Sequence, residues 1–339
     1  MVKKMVNRSI FLDHFQDQEA SALVVDGVLQ DFFIESNSPS PGQIYRATVD
    51  RPIKGQGGYF LKTPDGPAFL RQGKGLSQGS RILVQVSGFA EIGKAIPVSR
   101  KILLKSRYVI ITPGNPGLNI SRQIKNEERR DELVALIRLN LRDFKEGMIL
   151  RSSCINAVDK EILDDAEEML NLAEKISSDE SNEEGLILEP DKPHALAWRE
   201  WSEDADVFSE GGSFETHGIL DLLEKLKSER VETNDGHYFI EITRACATVD
   251  INTGSDTSPA AALKANLAMA KDLPRQLRLR GIGGQIILDP APISKKDRKI
   301  VDTALKTAFR KDPVETNIVG WTAMGLIELQ RARVRPSWK

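Results

Sequence analysis

The 339-residue sequence predicts an α+β chain of more than one domain, and three observations predict it. Short β-type runs, punctuated by Gly and Pro, crowd residues 44–98. Helical periodicity begins only later, from about residue 127. Towards the C-terminal end, a strand run, a long helix and a second strand run follow one another. Hydrophobic residues make up 40% and charged residues 28%, a globular balance at a length that allows roughly two or three domains.

The formal net charge is −2, so bulk charge does not call for a polyanion. Its sign is uneven. Residues 159–215 are acidic and 264–339 carry a basic excess, a weak pointer to a polyanion surface. Cys154 and Cys246 are far apart and outside any CxxC pair, so neither a disulfide framework nor a cysteine zinc site is expected. No apolar run is long enough for a secretory leader or a membrane span, and a soluble cytoplasmic protein with no membrane partner is expected.

Ala20 to Ile34 reads as two strands around Asp26-Gly27, and 36–42 as a linker. Ile44 to Val49, Tyr59 to Lys62, Ala68 to Leu70, Ile82 to Val86 and Ala95 to Val98 are five short strands, which suggests a small barrel of OB type. Arg107 to Thr112 is a further strand, followed by the loop Pro113 to Gly117. Glu127 to Phe144 and Ala157 to Ile176 have helical spacing, with a strand at Gly147 to Ser152 between them. Ser177 to Glu184 and Trp201 to Glu215 read as irregular. Tyr238 to Asp250 reads as one strand run and Pro259 to Arg280 as a helix with Leu263, Leu267, Ala270 and Leu277 on one face. Gln285 to Asp289 is a buried strand. Ser294 caps a last helix to about Phe309, with Ile300, Val301, Ala304, Leu305 and Ala308 inward.

Two aspartates carry the chemistry. One strand run ends at Asp250 and the next at Asp289, with a long helix between. A crossover of that length makes the strands parallel, and both carboxylates then leave the same sheet edge, where α/β folds bind ligands. Two converging carboxylates repel unless a cation lies between them. Mg²⁺ takes oxygen ligands and is held by one or two carboxylates plus substrate phosphate. Asn252, two residues on, can orient Asp250. Lys264, Lys271, Arg275, Arg278 and Arg280 suit a phosphate backbone, or equally a solvated helix face. Either aspartate alone reads more simply as a turn residue. The pair reads as readily as a metal site.

Ala247-Thr248-Val249-Asp250-Ile251-Asn252-Thr253-Gly254 resembles the first catalytic motif of the RNase E/G endoribonucleases, and Gln276 through Asp289, reading QLRLRGIGGQIILD, resembles the second. The resemblance runs from about Asp26 to the C-terminus and thins between 200 and 232. It implies Mg²⁺ on Asp250 and Asp289 (with Mn²⁺ a substitute), Asn252 in support, and in-line hydrolysis of single-stranded RNA to 5′-phosphate and 3′-hydroxyl ends. It implies a reduced RNase H-like segment at 1–36 and 191–233, an inserted OB-fold of the S-one type at 37–103, a 5′-sensor region at 104–190, and a DNase I-like catalytic subdomain at 234–339. In the OB-fold, Phe60 and Phe69 match positions where the family stacks bases, and Lys94 lies where a basic contact is expected. Barrel core is the alternative for either phenylalanine. Arg151-Ser152 aligns with the pair that takes a 5′-monophosphate, and Arg122 lies in a stretch the family shares. An ordinary salt bridge is the alternative for Arg151.

The sequence departs from the family in several places. Asp289 is followed by Pro290-Ala291-Pro292, without the second acid. Pro274 interrupts the motif helix and should kink it or remove a hydrogen bond. Thr316 stands for a basic residue and Ser106 for a glycine. The family's cysteine zinc-link is not present, so no structural zinc is expected and the oligomeric state is open. Three readings follow. The first is an active endoribonuclease of ribosomal or messenger RNA processing or decay. The second is an RNA-binding protein of the same fold with weak or no cleavage. The third is a metal-dependent phosphodiesterase for DNA or a small nucleotide.

Overall fold

The computed structural model describes residues 6–53, 57–73, 75–141, 144–178 and 183–338. Contacts divide the chain into two units, residues 1–35 with 205–339, and residues 36–204. Residues 179–182 of the expected loop at Ser177 to Glu184 lie outside the described residues.

The first unit opens with β1 (Arg8–Phe15), β2 (Gln18–Val25) and β3 (Val28–Ile34), an antiparallel meander. Positive φ at Gln16 and Asp17, and again at Asp26 and Gly27, gives both connections the two-residue turn whose twist suits a hairpin. The Asp26-Gly27 hairpin matches the sequence reading. Strand β1 was not expected, because Arg8, Asp13 and His14 interrupt its apolar face. Asp13 has a distant use: its Oδ2 accepts the Phe214 N–H at 2.9 Å and the Ser213 hydroxyl at 3.3 Å. Burial pushes this carboxyl up, but the N–H donors of Phe214, His14 and Gly212 outweigh it and hold Asp13 below its ordinary value.

In residues 36–204, β4 (Ile44–Pro52), β5 (Tyr59–Thr63), β6 (Gly66–Leu70), β7 (Arg81–Val86) and β8 (Ile96–Ser99) close into a five-stranded barrel. The order is β4-β5-β6-β8-β7, with β7 pairing back onto β4 and only β6–β8 parallel. This is the OB-like barrel the sequence suggests. Tyr45, Val49, Leu61, Ala68, Val84 and Val98 are among its core. Next come β9 (Leu104–Lys105), β10 (Val109–Thr112), β11 (Gly117–Ile120), α1 (Glu127–Asn140), β12 (Gly147–Leu150), a 3₁₀ turn (Ser152–Ile155), α2 (Asp159–Ser177), β13 (Gly185–Leu188) and α3 (Pro193–Glu200). The sheet β11-β12-β10-β9 buries Val109, Ile111, Met148 and Leu150 against Leu133 and Ile137 of α1 and Ile162 and Ala166 of α2. Helix α1 ends at Asn140, short of the expected Phe144. β13 extends the barrel sheet by pairing with β4.

The first unit resumes with β14 (Asp206–Phe208), α4 (Ser213–Thr216), α5 (Ile219–Lys225), β15 (Arg230–Thr233), β16 (Gly236–Ile242), β17 (Ala247–Asn252), α6 (Pro259–Leu279), β18 (Gly284–Asp289), α7 (Lys295–Lys311), β19 (Thr316–Trp321) and β20 (Ile327–Arg331). The stretch expected to be irregular, 201–215, contains β14, which pairs parallel with β1 and stacks Phe208 on Phe11 at 5.0 Å. The single run read at Tyr238 to Asp250 is instead a hairpin. Its turn is closed by Thr243, whose N–H and hydroxyl both donate to the Cys246 carbonyl, at 2.9 and 2.8 Å.

The six strands lie in the order β15-β16-β17-β18-β20-β19. Tyr238, Ile240, Val249, Ile286, Leu288 and Ile327 fill one face and pack on Met269, Leu273 and Leu277 of α6 and Val301 and Leu305 of α7. Ile300 is exposed rather than inward, because α7 buries Val301, Leu305 and Phe309, a stripe of four-residue spacing one step round the helix. Ser258 caps α6, accepting from Ala261 N–H, and Ser294 caps α7, accepting from Asp297 N–H, as expected for the latter. Helix α6 runs through buried Pro274 to Leu279. It stops at Gly281, where φ is +66° and any Cβ would meet the Pro336 carbonyl oxygen at 2.0 Å. That double constraint is the physical content of the motif's first glycine.

Candidate active site

β17 and β18 are the two central strands of the six-stranded sheet. They run parallel, because the chain leaves β17, crosses one face as α6 and returns. The register pairs Val249 with Leu288 and, on the last rung, Asp250 with Asp289. Neighbouring strands lie about 4.8 Å apart, so the two carboxylates leave the backbone roughly that far from one another. Val249 and Leu288 point into the helical layer, so the aspartates point to the opposite face, where both are exposed. Asn252 donates its Nδ2 to Asp250 Oδ2 at 2.9 Å.

The turn after Asp289 is fixed by a residue the sequence reading passed over. Asn266, fully buried on α6, donates to the Ala291 carbonyl at 2.9 Å and accepts the Ala291 N–H at 3.1 Å. It thus holds the Pro290-Ala291-Pro292 run in place. An asparagine on the inward face of a helix is a poor helix former, and that was the available signal.

The site's donors are all hard oxygens: two carboxylates and an amide. Among the described residues, no group of three or more His, Cys, Asp and Glu is arranged to hold a metal. Two carboxylates fit Mg²⁺, which keeps waters and borrows phosphate oxygens, and do not fit a protein-only zinc cage.

The remaining candidates lie in other sheets. Phe60 on β5 and Phe69 on β6 are paired across the strands, with ring centroids 5.8 Å apart. Both alternate with core residues Leu61 and Ala68 and stand half-exposed outside the barrel core, with Arg51 5.3 Å from the Phe60 ring. Lys94 is exposed and paired with Glu91 at 2.6 Å. Arg122 is exposed beyond β11. Ser152 opens the 3₁₀ turn. Arg151 is engaged: it donates to the Ser106 and Arg199 carbonyls and to Glu200 Oε2, the last at 2.6 Å. Burial pushes Glu200 up, but Arg199 and Arg151 outweigh it and hold the carboxyl below its usual range. Nearby, the Arg107 guanidinium lies 3.8 Å above the exposed Trp198 ring, a pair the sequence reading did not single out.

Arg278 and Arg280 need correcting. Neither faces the carboxylate edge as a phosphate contact. Arg278 pairs with Asp31 at 3.1 Å and with Asp312, and donates to the Gln30 carbonyl at 2.6 Å. Arg280 is 2% exposed and donates to the Leu226 carbonyl. Arg275 pairs with Asp272 and donates to the Leu29 carbonyl. These guanidiniums tie α6 to the N-terminal strands and to α5. Lys264 and Lys271 are exposed.

Residues 103–207 and 200–334 match the Ribonuclease E/G family. The chain belongs to that family. Among its relatives in the family, Ribonuclease G of Haemophilus influenzae is 27% identical over 381 aligned positions, covering 93% of this chain and 77% of that protein. Ribonuclease G of Escherichia coli K12 is 26% identical, covering 93% and 78%. Ribonuclease E of Synechocystis is 25% identical and covers 94% of this chain but 56% of its own length. The Ribonuclease E/G match begins after the barrel, takes in residues 103–207 as well as the six-stranded sheet, and includes both aspartates, Asn252 and Asn266.

Proposed function

We propose that this family member is an endoribonuclease that hydrolyses single-stranded RNA in RNA processing, at a centre formed by Asp250, Asp289 and Asn252. The observation that carries this reading is the last rung of the β17–β18 ladder, where two exposed carboxylates stand side by side and one is oriented by Asn252. Asp250 and Asp289 would hold Mg²⁺, with Mn²⁺ able to replace it. The ion supplies Lewis-acid stabilisation of the charge that builds on a phosphodiester under attack. The residues' own work is to fix two oxygens in a rigid frame. Asn252 holds the Asp250 carboxylate by one hydrogen bond, and Asn266 fixes the chain beyond Asp289. Cleavage leaves a 5′-phosphate and a 3′-hydroxyl.

Phe60 and Phe69 supply stacking surfaces for RNA bases outside the barrel core. Replacing either with alanine is expected to weaken binding of single-stranded RNA by about 1–3 kcal/mol while leaving the barrel folded. Fluorescence anisotropy with a labelled oligoribonucleotide measures it, and unchanged affinity in both variants would remove the barrel from the RNA path.

Arg151 and Ser152 would read a 5′-monophosphate, with Glu200 as the carboxylate an incoming phosphate must displace from Arg151. RNA bearing a 5′-monophosphate is therefore expected to be cut faster than the same RNA bearing a triphosphate, and Glu200→Gln to widen the gap. Equal rates for both ends in both proteins would exclude a working sensor.

The experiment that tests the reading incubates the protein with 5′-monophosphorylated single-stranded RNA, with Mg²⁺ and with chelator. Internal cuts that need Mg²⁺ establish the enzyme. RNA bound but uncut under both conditions favours an RNA-binding protein of the same fold. No helix among the described residues is long and apolar enough to cross a membrane.

A further inference from the structure

We infer that His237 and Phe239 form a stacking platform beside the carboxylate pair, which receives the nucleobase flanking the phosphate to be cut. The inference rests on the endoribonuclease reading above and extends it to a base-binding subsite on the catalytic sheet itself.

The antiparallel register of β16 and β17 sets Phe239 directly opposite Asp250 and His237 directly opposite Asn252. The two-residue period of a strand then sends all four side chains, with Asp289, to the face away from α6 and α7. Directly opposed residues have Cβ atoms about 4.5–5.5 Å apart, so the rings begin within one nucleotide's reach of the carboxylates.

The rings have no apolar cause to be there. Tyr238 and Ile240, their neighbours in sequence, are the residues that fill the core. Phe239 is flanked across the strands by Arg230 on one side and Asp250 on the other, and His237 by Glu232 and Asn252. Every cross-strand partner is polar. Both rings are half-buried and meet edge to face, with centroids 5.5 Å apart and planes at 85°. The Arg230 guanidinium lies 5.9 Å from the centre of the Phe239 ring. A flat apolar ring half-buried among charges, with a cation beside it, one carboxylate directly opposite and a second one strand further on, has the chemistry of single-strand binding surfaces. There, bases stack on aromatics while basic groups follow the backbone. Every base has a π-face, so the platform accepts any base and adds affinity without adding sequence preference.

The test compares two ligands of equal length and charge in chelator, where no cutting occurs: a single-stranded oligoribonucleotide and its abasic ribose-phosphate counterpart. Phe239→Leu is expected to weaken binding of the base-bearing chain about tenfold and to leave the abasic chain unchanged, and Phe239→Trp to restore it. A purely structural role for Phe239 would alter both ligands together. Equal loss on both chains, or no loss on either, overturns the platform. The same proteins are then assayed for cleavage in Mg²⁺. Base-selective loss without any cleavage by the unmodified protein keeps the nucleobase site and overturns the endoribonuclease reading. Cleavage without base-selective loss does the reverse.

Discussion

Asp250→Asn is expected to lower the rate of RNA cleavage by about 10³-fold while leaving affinity for single-stranded RNA within about twofold. The substitution keeps size and shape and removes one negative charge from an exposed position. Surface changes of that kind alter stability by about 0.5 kcal/mol or less. The new carboxamide still offers an oxygen to Asn252, so the loss would be one of charge and not of placement. Asp289→Asn should behave alike, because the register makes the two positions equivalent across the ladder. The double variant should be scarcely worse than either single one, since groups that act as one unit do not add. Single-turnover cleavage and filter binding measure the two quantities. Near-normal cleavage in either single variant would remove that aspartate from the site.

Asp312→Ala is expected to destabilise residues 1–35 with 205–339 by about 3–5 kcal/mol, lowering their thermal midpoint by on the order of 10 °C. The Asp312 side chain is 1% exposed and lies between two guanidiniums, Arg278 and Arg331, the latter at 2.6 Å and also 1% exposed. The Arg331 contact is a close ion pair. Arg331 also donates to the Thr316 hydroxyl at 2.7 Å, which gives Thr316 a role as an acceptor where a basic residue would only repel. Arg278 and Arg335 continue the network to Asp31 on β3, at 3.1 and 3.0 Å. Removing Asp312 takes the carboxylate from buried Arg331, while Arg278 keeps Asp31, and the penalty should persist at high salt because water and ions do not reach it. Urea unfolding at low and high salt measures it. A loss below about 1 kcal/mol, or one that vanishes with salt, would show the network to be solvated.

The catalytic crossover was legible in the sequence because each of its parts obeys a local rule. Val249, Ile286 and Leu288 lie on apolar strands, Ser258-Pro259 starts the helix, and Gly281 ends it. The barrel was legible for the same reason: five short strands, each bounded by turn residues. What stayed hidden depends on partners distant in sequence. Asp13 looks like an interruption of β1 until Phe214 is placed against it. Arg278 and Arg280 look like phosphate ligands until Asp31, Asp312 and the Leu226 carbonyl claim them. The 238–250 run hides its turn because Thr243 to Cys246 contains neither Gly nor Pro. His237 and Phe239 acquire meaning only from the register, which no local pattern in β16 reveals.

Placing the two aspartates on the innermost strands has a consequence for how the protein loses activity. Binding residues commonly lie on loops, which open at little free-energy cost, often well before the fold as a whole. Here β17 is flanked by β16 and β18, and β18 by β17 and β20; the β16 and β18 ladders reach Asp250, while the β20 ladder stops at Leu288, so Asp289 is held by β17 on the last rung. Separating Asp250 from Asp289 means parting β17 from β18, the two central strands of the sheet. Denaturant should therefore leave the pair intact until the sheet itself comes apart, and the loss of catalysis should coincide with global unfolding rather than precede it.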